Sequence, residues 1–114
     1  MKPLLPSLKE KRRYIAFEVI TGAQVGEDDV YDAVRASMHQ LVGELGMAAA
    51  GLQFVRERWN GRRLRGIARV SHLSVDQFKA SLVFLQQVKQ HPAAIHSLGV
   101  SGILAKAAQW YIAA

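Results

Sequence analysis

Hydrophobic and polar positions alternate along residues 14–20. Ile15, Phe17 and Val19 fall on one face, and Tyr14, Ala16 and Glu18 on the other, which predicts a strand. The period then changes. Val30, Val34, Met38, Leu41 and Leu45 recur at helical spacing behind Glu27, Asp28 and Asp29, carboxylates that favour a helix N-terminus. Gly22 and Gly26 bracket the intervening loop, and Gly46 is the expected stop. Residues 51–59 and 62–70 read as two hairpin arms joined at Asn60-Gly61, a pair suited to a type I′ turn because both central residues there need positive φ. A second helix is expected from Ser74, with Gln77 at capping-box spacing and Val75, Phe78, Leu82 and Leu85 as its apolar stripe. Pro92 ends that region, residues 94–100 suggest a short final strand, and Ser101 is placed to cap a last helix running to Ala114. The order is β-α-β-β-α-β plus a C-terminal helix. It predicts an α+β fold, the ferredoxin-like, RNA-recognition-type sandwich, although such a fold assigns no function by itself.

Residues 1–13 read as a basic tail, with Pro3 and Pro6 opposing regular structure and Ser7 and Glu10 spaced for one capped turn. Residues 14–114 are then one domain, and half the 114 residues are hydrophobic, enough for a compact core. The chain has no cysteine, so disulfides, thiolate catalysis and cysteine-zinc sites are excluded. We find no signal-peptide pattern and no apolar run near the roughly 18 residues a membrane span needs. A cytoplasmic setting without membrane attachment is the expectation.

The net +6 is segregated. Residues 1–13 carry +4 from Lys2, Lys9, Lys11, Arg12 and Arg13 against Glu10. Residues 56–69 carry +5 from Arg56, Arg58, Arg62, Arg63, Arg65 and Arg69 against Glu57, and the rest of the chain carries −3. Two basic segments on a mildly acidic body suit a polyanion-binding surface. Arginine in the second segment adds a planar fork for phosphate and a face for stacking on bases.

Catalytic constellations are weak. His39, His72, His91 and His96 stand in no metal-ligand spacing. Glu27, Asp28, Asp29 and Asp32 read better as a helix N-terminus than as a magnesium site. Gly99-Val100-Ser101-Gly102 lacks the last glycine of a nucleophile elbow, since position 103 is Ile103. The glycines at 22, 26, 43 and 46 match neither a P-loop nor a dinucleotide fingerprint. No catalytic residue and no cofactor are therefore assigned to this chain.

The candidate RNA-contacting residues are Lys9, Lys11, Arg12, Arg13, Arg56, Arg58, Arg62, Arg63, Arg65 and Arg69. Phe54 reads as core, whereas Trp59 fits equally a hairpin pad or a base-stacking ring, with Tyr14 nearby. The stretch Arg65-Gly66-Ile67-Ala68-Arg69-Val70 lacks the aromatics of a base-reading central strand, so backbone and shape recognition of folded RNA is expected. The C-terminal helix is apolar nearly all round. Ile103, Leu104, Trp110 and Tyr111 suit either cover for the open sheet face or a protein interface.

Several stretches together resemble archaeal ribonuclease P protein component 2. Lys11-Arg12-Arg13-Tyr14-Ile15-Ala16-Phe17-Glu18-Val19-Ile20 is similar to its opening strand. Leu41-Val42-Gly43-Glu44-Leu45-Gly46 followed by Ala50-Gly51-Leu52 resembles its first helix end and second strand. Arg65-Gly66-Ile67-Ala68-Arg69-Val70, then Val75-Asp76 and Ala80-Ser81-Leu82, resembles its third strand and second helix, and Leu98-Gly99-Val100-Ser101-Gly102 its last strand-to-helix junction. The likeness spans nearly the whole chain in order.

It implies an accessory subunit of the ribonucleoprotein that cleaves precursor tRNA at the mature 5′ end, with magnesium used by the RNA subunit. It also implies three partners: the ribonuclease P RNA, precursor tRNA in the holoenzyme, and a protein subunit of TIM-barrel-like fold. A homodimer or heterotetramer is the implied assembly. The chain departs from the family in having only Lys106 as a cation after Gly102. Two other readings stand beside this one, a stand-alone RNA-binding adaptor of ferredoxin-like fold and a small metal-dependent nuclease using Asp28, Asp29 and Asp32.

Overall fold

In the computed structural model, which describes residues 11–112, the alternating segment is the middle of strand β1 (Arg12–Thr21). Ile15, Phe17 and Val19 are buried as the pattern requires, but Ala16 on the opposite face is fully buried as well. Both faces of the sheet are therefore covered. Lys2, Lys9 and the Ser7–Glu10 turn lie outside the described residues.

Helix α1 (Glu27–Ala50) follows, its first turn held by the Gly26 N–H donating to the Asp29 carboxylate at 3.1 Å. The expected stop at Gly46 is not used. Gly43 breaks the helix with φ 73° and ψ −177°, a conformation essentially reserved for glycine. The second segment runs to Ala50 and closes on Gly51 at φ 58°, whose N–H donates to the Met47 carbonyl. Val30, Val34 and Met38 are buried, but the stripe leaves the core on both sides of the break, where Val42 and Met47 pack instead. Leu41 is 42 % exposed and Leu45 88 % exposed.

Strand β2 (Gln53–Phe54) is far shorter than the arm expected from the sequence, and β3 (Arg65–Ser71) carries the pairing to β1. A short 3-10 turn at residues 56–58 interrupts the first arm. The connection at Asn60-Gly61 is also not a two-residue type I′ turn. Asn60 pairs with Arg65 across four residues, and the residue at positive φ is Leu64. The cause is the Asn60 side chain, whose Oδ1 accepts the N–H groups of both Arg62 and Arg63 at 3.1 Å and winds the loop into a helical bend.

Helix α2 (Val75–Phe84) buries Phe78, Leu82 and the following Leu85 as expected. Its entry differs. Ser74 makes no side-chain cap, and Ser71 Oγ instead accepts the Leu73 N–H. A short β4 (Gln87–Val88) and a long β5 (His91–Ser101) replace the single expected strand. They meet in a tight turn at Lys89 and Gln90, both at positive φ. Pro92 is tolerated inside β5 because the β1 ladder begins one residue later, at Thr21 opposite Ala93.

All pairings are antiparallel and the strand order is β2-β3-β1-β5-β4. Helices α1 and α2 cover one face over Ile15, Phe17, Ala68 and Val70. Helix α3 (Leu104–Ala107) and a π-helical turn (Ala108–Ile112) cover the other. Ala107, Ala108 and Ile112 pack there on Ala16 and Ile67, with Leu104 and Tyr111 alongside. Ser101 does not cap α3 directly: Ile103 is its N-cap, and Ser101 Oγ accepts the Ile103 N–H at 3.0 Å to hold the preceding turn. Gly99 permits the closure, because a Cβ there would overlap the Tyr111 ring.

Candidate nucleic-acid interface

The two basic segments do not merge. Arg12 pairs opposite Ser71 at one end of β3, while Arg62 and Arg63 lie beyond Arg65 at the other. Seven residues of β3 separate the groups, about 20 Å at strand rise.

Most of the arginines are committed within the fold. Arg56 donates to Asp28 at 2.7 Å, lies 3.9 Å from Glu27, and stands over the Tyr31 ring at 5.0 Å. The Asp28 hydrogen bond holds the guanidinium above its ordinary pKa. Arg65 donates from Nε to Glu18 at 2.8 Å and from Nη1 to the Tyr111 carbonyl at 3.0 Å, tying β3 to β1 and to the C-terminal turn. Arg69 reaches Gln53 across the β2–β3 pair. Arg12 donates to the Gly51 carbonyl, and Arg13 to the Arg12 carbonyl.

Among the described residues, Arg58, Arg62 and Arg63 are exposed arginines whose side chains make no ion pair or hydrogen bond, and exposed Lys11 stands alone in the same way at the other end. Arg62 and Arg63 are set outward by the Asn60-capped loop. The loop is anchored in turn, because Asn60 Nδ2 donates to the Ile112 carbonyl at 3.0 Å. An extended donor surface on an anchored loop can contact phosphate oxygens without reorganising first. Sequence reasoning missed Arg35, which stands 5.4 Å over the Phe54 ring. Its helical position one residue after Val34 gave no charge-cluster signal.

The aromatics nearest the hairpin are not presented to solvent as a stacking platform. Tyr31 stacks on Phe54 at 4.1 Å and meets Trp59 edge-on at 5.8 Å. Gly66 lets Trp59 and Phe17 close over β3, since a Cβ there would come within 2.9 Å of both. Trp59 thus pads the hairpin. Burial pushes the Tyr31 hydroxyl above its ordinary pKa, and the Glu27 carboxylate adds to the shift. On the other sheet face, α3 occupies the surface where an open-sheet binder would stack bases.

The acidic cluster is divided by its contacts. Asp28 and Glu27 face Arg56, and Asp29 caps Gly26 with Lys89 at 4.0 Å. Among the described residues no group of three potential metal-ligating side chains converges, and no helix is long and apolar enough to cross a membrane. Of the four proposed partner-facing residues, Leu104 and Tyr111 are engaged in covering the sheet, while Ile103 and Trp110 are each about half exposed.

These features place the molecule among small basic α/β sandwich proteins. It belongs, more narrowly, to the Rpp14/Pop5 family, whose model matches residues 13–112. Among its relatives is ribonuclease P protein component 2 of Methanosarcina mazei, 35 % identical over 98 % of this chain and 93 % of that protein. The protein of the same name from Methanocaldococcus jannaschii is 35 % identical over 94 % of this chain and 77 % of that one. A chain in the cryo-EM structure of yeast ribonuclease MRP shares the fold, with a TM-score of 0.64 at 12 % identity, covering 90 % of this chain and 86 % of its own.

Proposed function

We infer that this chain is a protein subunit of ribonuclease P, an accessory to the catalytic RNA that cleaves precursor tRNA to make the mature 5′ end. The observation that carries this is near full-length similarity to ribonuclease P protein component 2 from several archaea. The chain contributes no side chain to bond cleavage. Its role is to neutralise phosphate repulsion and hold the RNA's active fold, with Arg58, Arg62, Arg63 and Lys11 meeting the backbone. Magnesium serves the RNA subunit, and a protein subunit of TIM-barrel-like fold completes the functional unit, using the exposed Ile103 and Trp110 as one contact. The setting is the cytoplasm.

The order β2-β3-β1-β5 supports reading the fold as a ferredoxin-like sandwich, with β4 added outside it and α3 laid over the face that such folds often leave open. Reconstitution tests the function. Ribonuclease P RNA and the other protein subunits are assayed for precursor tRNA cleavage with and without this chain across a magnesium series. Addition of the chain lowers the magnesium needed and raises the rate. Identical cleavage at every magnesium concentration rules the function out.

A further inference from the structure

Strand β5 spans eleven residues, yet β4 covers only its first part. The last outer-edge bond is the Ala93 N–H donating to the Gln86 carbonyl at 3.0 Å. Backbone groups alternate sides along a strand up to the bulge that follows Ser97, where Leu98 is the extra residue opposite β1, so the N–H and C=O of Ile95 and Ser97 also point outward, away from β1. Among the described residues, nothing pairs with them. The sequence there, Ala94-Ile95-His96-Ser97-Leu98-Gly99-Val100, carries no lysine, glutamate or proline, the residues that usually blunt an exposed edge. Alongside runs a groove of about 480 Å³ between α2 and β5. Lys79, Ala80 and Val83 form its helical wall, and Ile95 and Ser97 its floor. Val83 is 77 % exposed and Lys79 makes no ion pair among the described residues.

We propose that the outer edge of β5 and the groove beside α2 form a strand-addition site for an extended segment of a partner protein. Main-chain bonds to Ile95 and Ser97 supply the pairing. Every second side chain of the segment then drops between strand and helix, where Ala80, Val83 and Ile95 select small or medium apolar groups. An acidic residue near the segment's middle meets Lys79. A second copy of this chain fits less well. Each β5 edge is walled by its own α2, so two copies edge to edge would bring their helices and both Lys79 side chains together. A single extended segment meets neither obstacle. The site lies toward the opposite edge of the sheet from the β2–β3 loop arginines and is independent of RNA binding.

The probe is a fluorescein-labelled, end-blocked eight-residue peptide alternating valine and threonine with one central glutamate. Binding is followed by anisotropy and by amide spectra of the intact chain. Saturable binding is expected, with the Ile95 and Ser97 amides shifted and slowed in exchange. Methylating alternate peptide amides should weaken binding about tenfold or more, as should Ser97→Pro in the chain. Lys79→Glu should reverse the preference between the glutamate peptide and its lysine counterpart. The methylated peptide leaves the protein untouched, so a Ser97→Pro chain that fails to fold does not remove the test. No binding, or equal binding of the methylated peptide, overturns the proposal. So does prior protection of Ile95 and Ser97 in the free chain, whether by a second copy, seen as a dimer on sizing, or by the chain's own ends, seen in a monomer.

Discussion

Replacing Arg58, Arg62 and Arg63 together with glutamine separates RNA contact from scaffold. The three side chains are exposed and make no bonds within the described residues, so the fold should hold, with stability changed by about 0.5 kcal/mol or less per site. Each phosphate contact contributes about 0.7–0.9 to the slope of log K against log salt. Loss of three contacts should therefore flatten the slope by about 2–3 for transcribed ribonuclease P RNA. Between 50 and 200 mM salt, the wild-type chain should lose roughly 20- to 40-fold more affinity than the variant. Arg65→Gln is the matched control. It makes the same arginine-to-glutamine change at one site, but its side chain is 18 % exposed and bonded to Glu18 and the Tyr111 carbonyl. That variant should lose about 1–3 kcal/mol of stability with its slope nearly unchanged. Filter binding across salt and urea unfolding supply the two readouts. An unchanged slope in the triple variant, or a flattening of about 0.7–0.9 in Arg65→Gln, the full share of one phosphate contact, would refute the division of the arginines.

Gly99→Ala should cost about 1–3 kcal/mol, because the new methyl displaces Tyr111 and loosens the C-terminal cover; urea unfolding with Trp110 emission reports both effects. Above about pH 10 an unfolded tyrosine ionises, while Tyr31, its pKa raised by burial, stays protonated in the fold. The folded state then holds more protons, so stability contributed by Tyr31 is present below that pH and falls as pH rises above it. Tyr31→Phe should remove that part of the decline in unfolding free energy measured between about pH 9 and pH 11. Lys89→Asn with Gln90→Gly should raise the melting temperature, since both positions sit at positive φ, at roughly 1 kcal/mol each for ordinary side chains.

The period-two pattern of Ile15, Phe17 and Val19 was enough to find β1 and its buried face, and the α2 stripe was equally legible. What escaped was decided by competition between interactions. Asn60-Gly61 has the composition of a type I′ turn, but the Asn60 side chain binds two backbone N–H groups and builds a longer loop. The left-handed pair lies instead at Lys89-Gln90, where the short connection between β4 and β5 imposes it. The arginine cluster was visible as charge, yet its division was not. Arg56 finds Asp28 from 28 residues away, and Arg65 finds Glu18 from 47. The last helix read as apolar all round, and only the bare backbone at Gly99 shows which side of it lies on the sheet.

Under the proposed RNA-binding role, the separation of Lys11 from Arg62 and Arg63 sets a metric on recognition. The ladder between β1 and β3 joins them as a rigid strut of about 20 Å, backed by packed layers on both sides. Cations on a flexible chain adapt to any phosphate spacing. Cations fixed at the two ends of a strut act as a caliper, favouring an RNA whose tertiary fold brings two backbone segments to that span and gaining little from the same nucleotides unfolded.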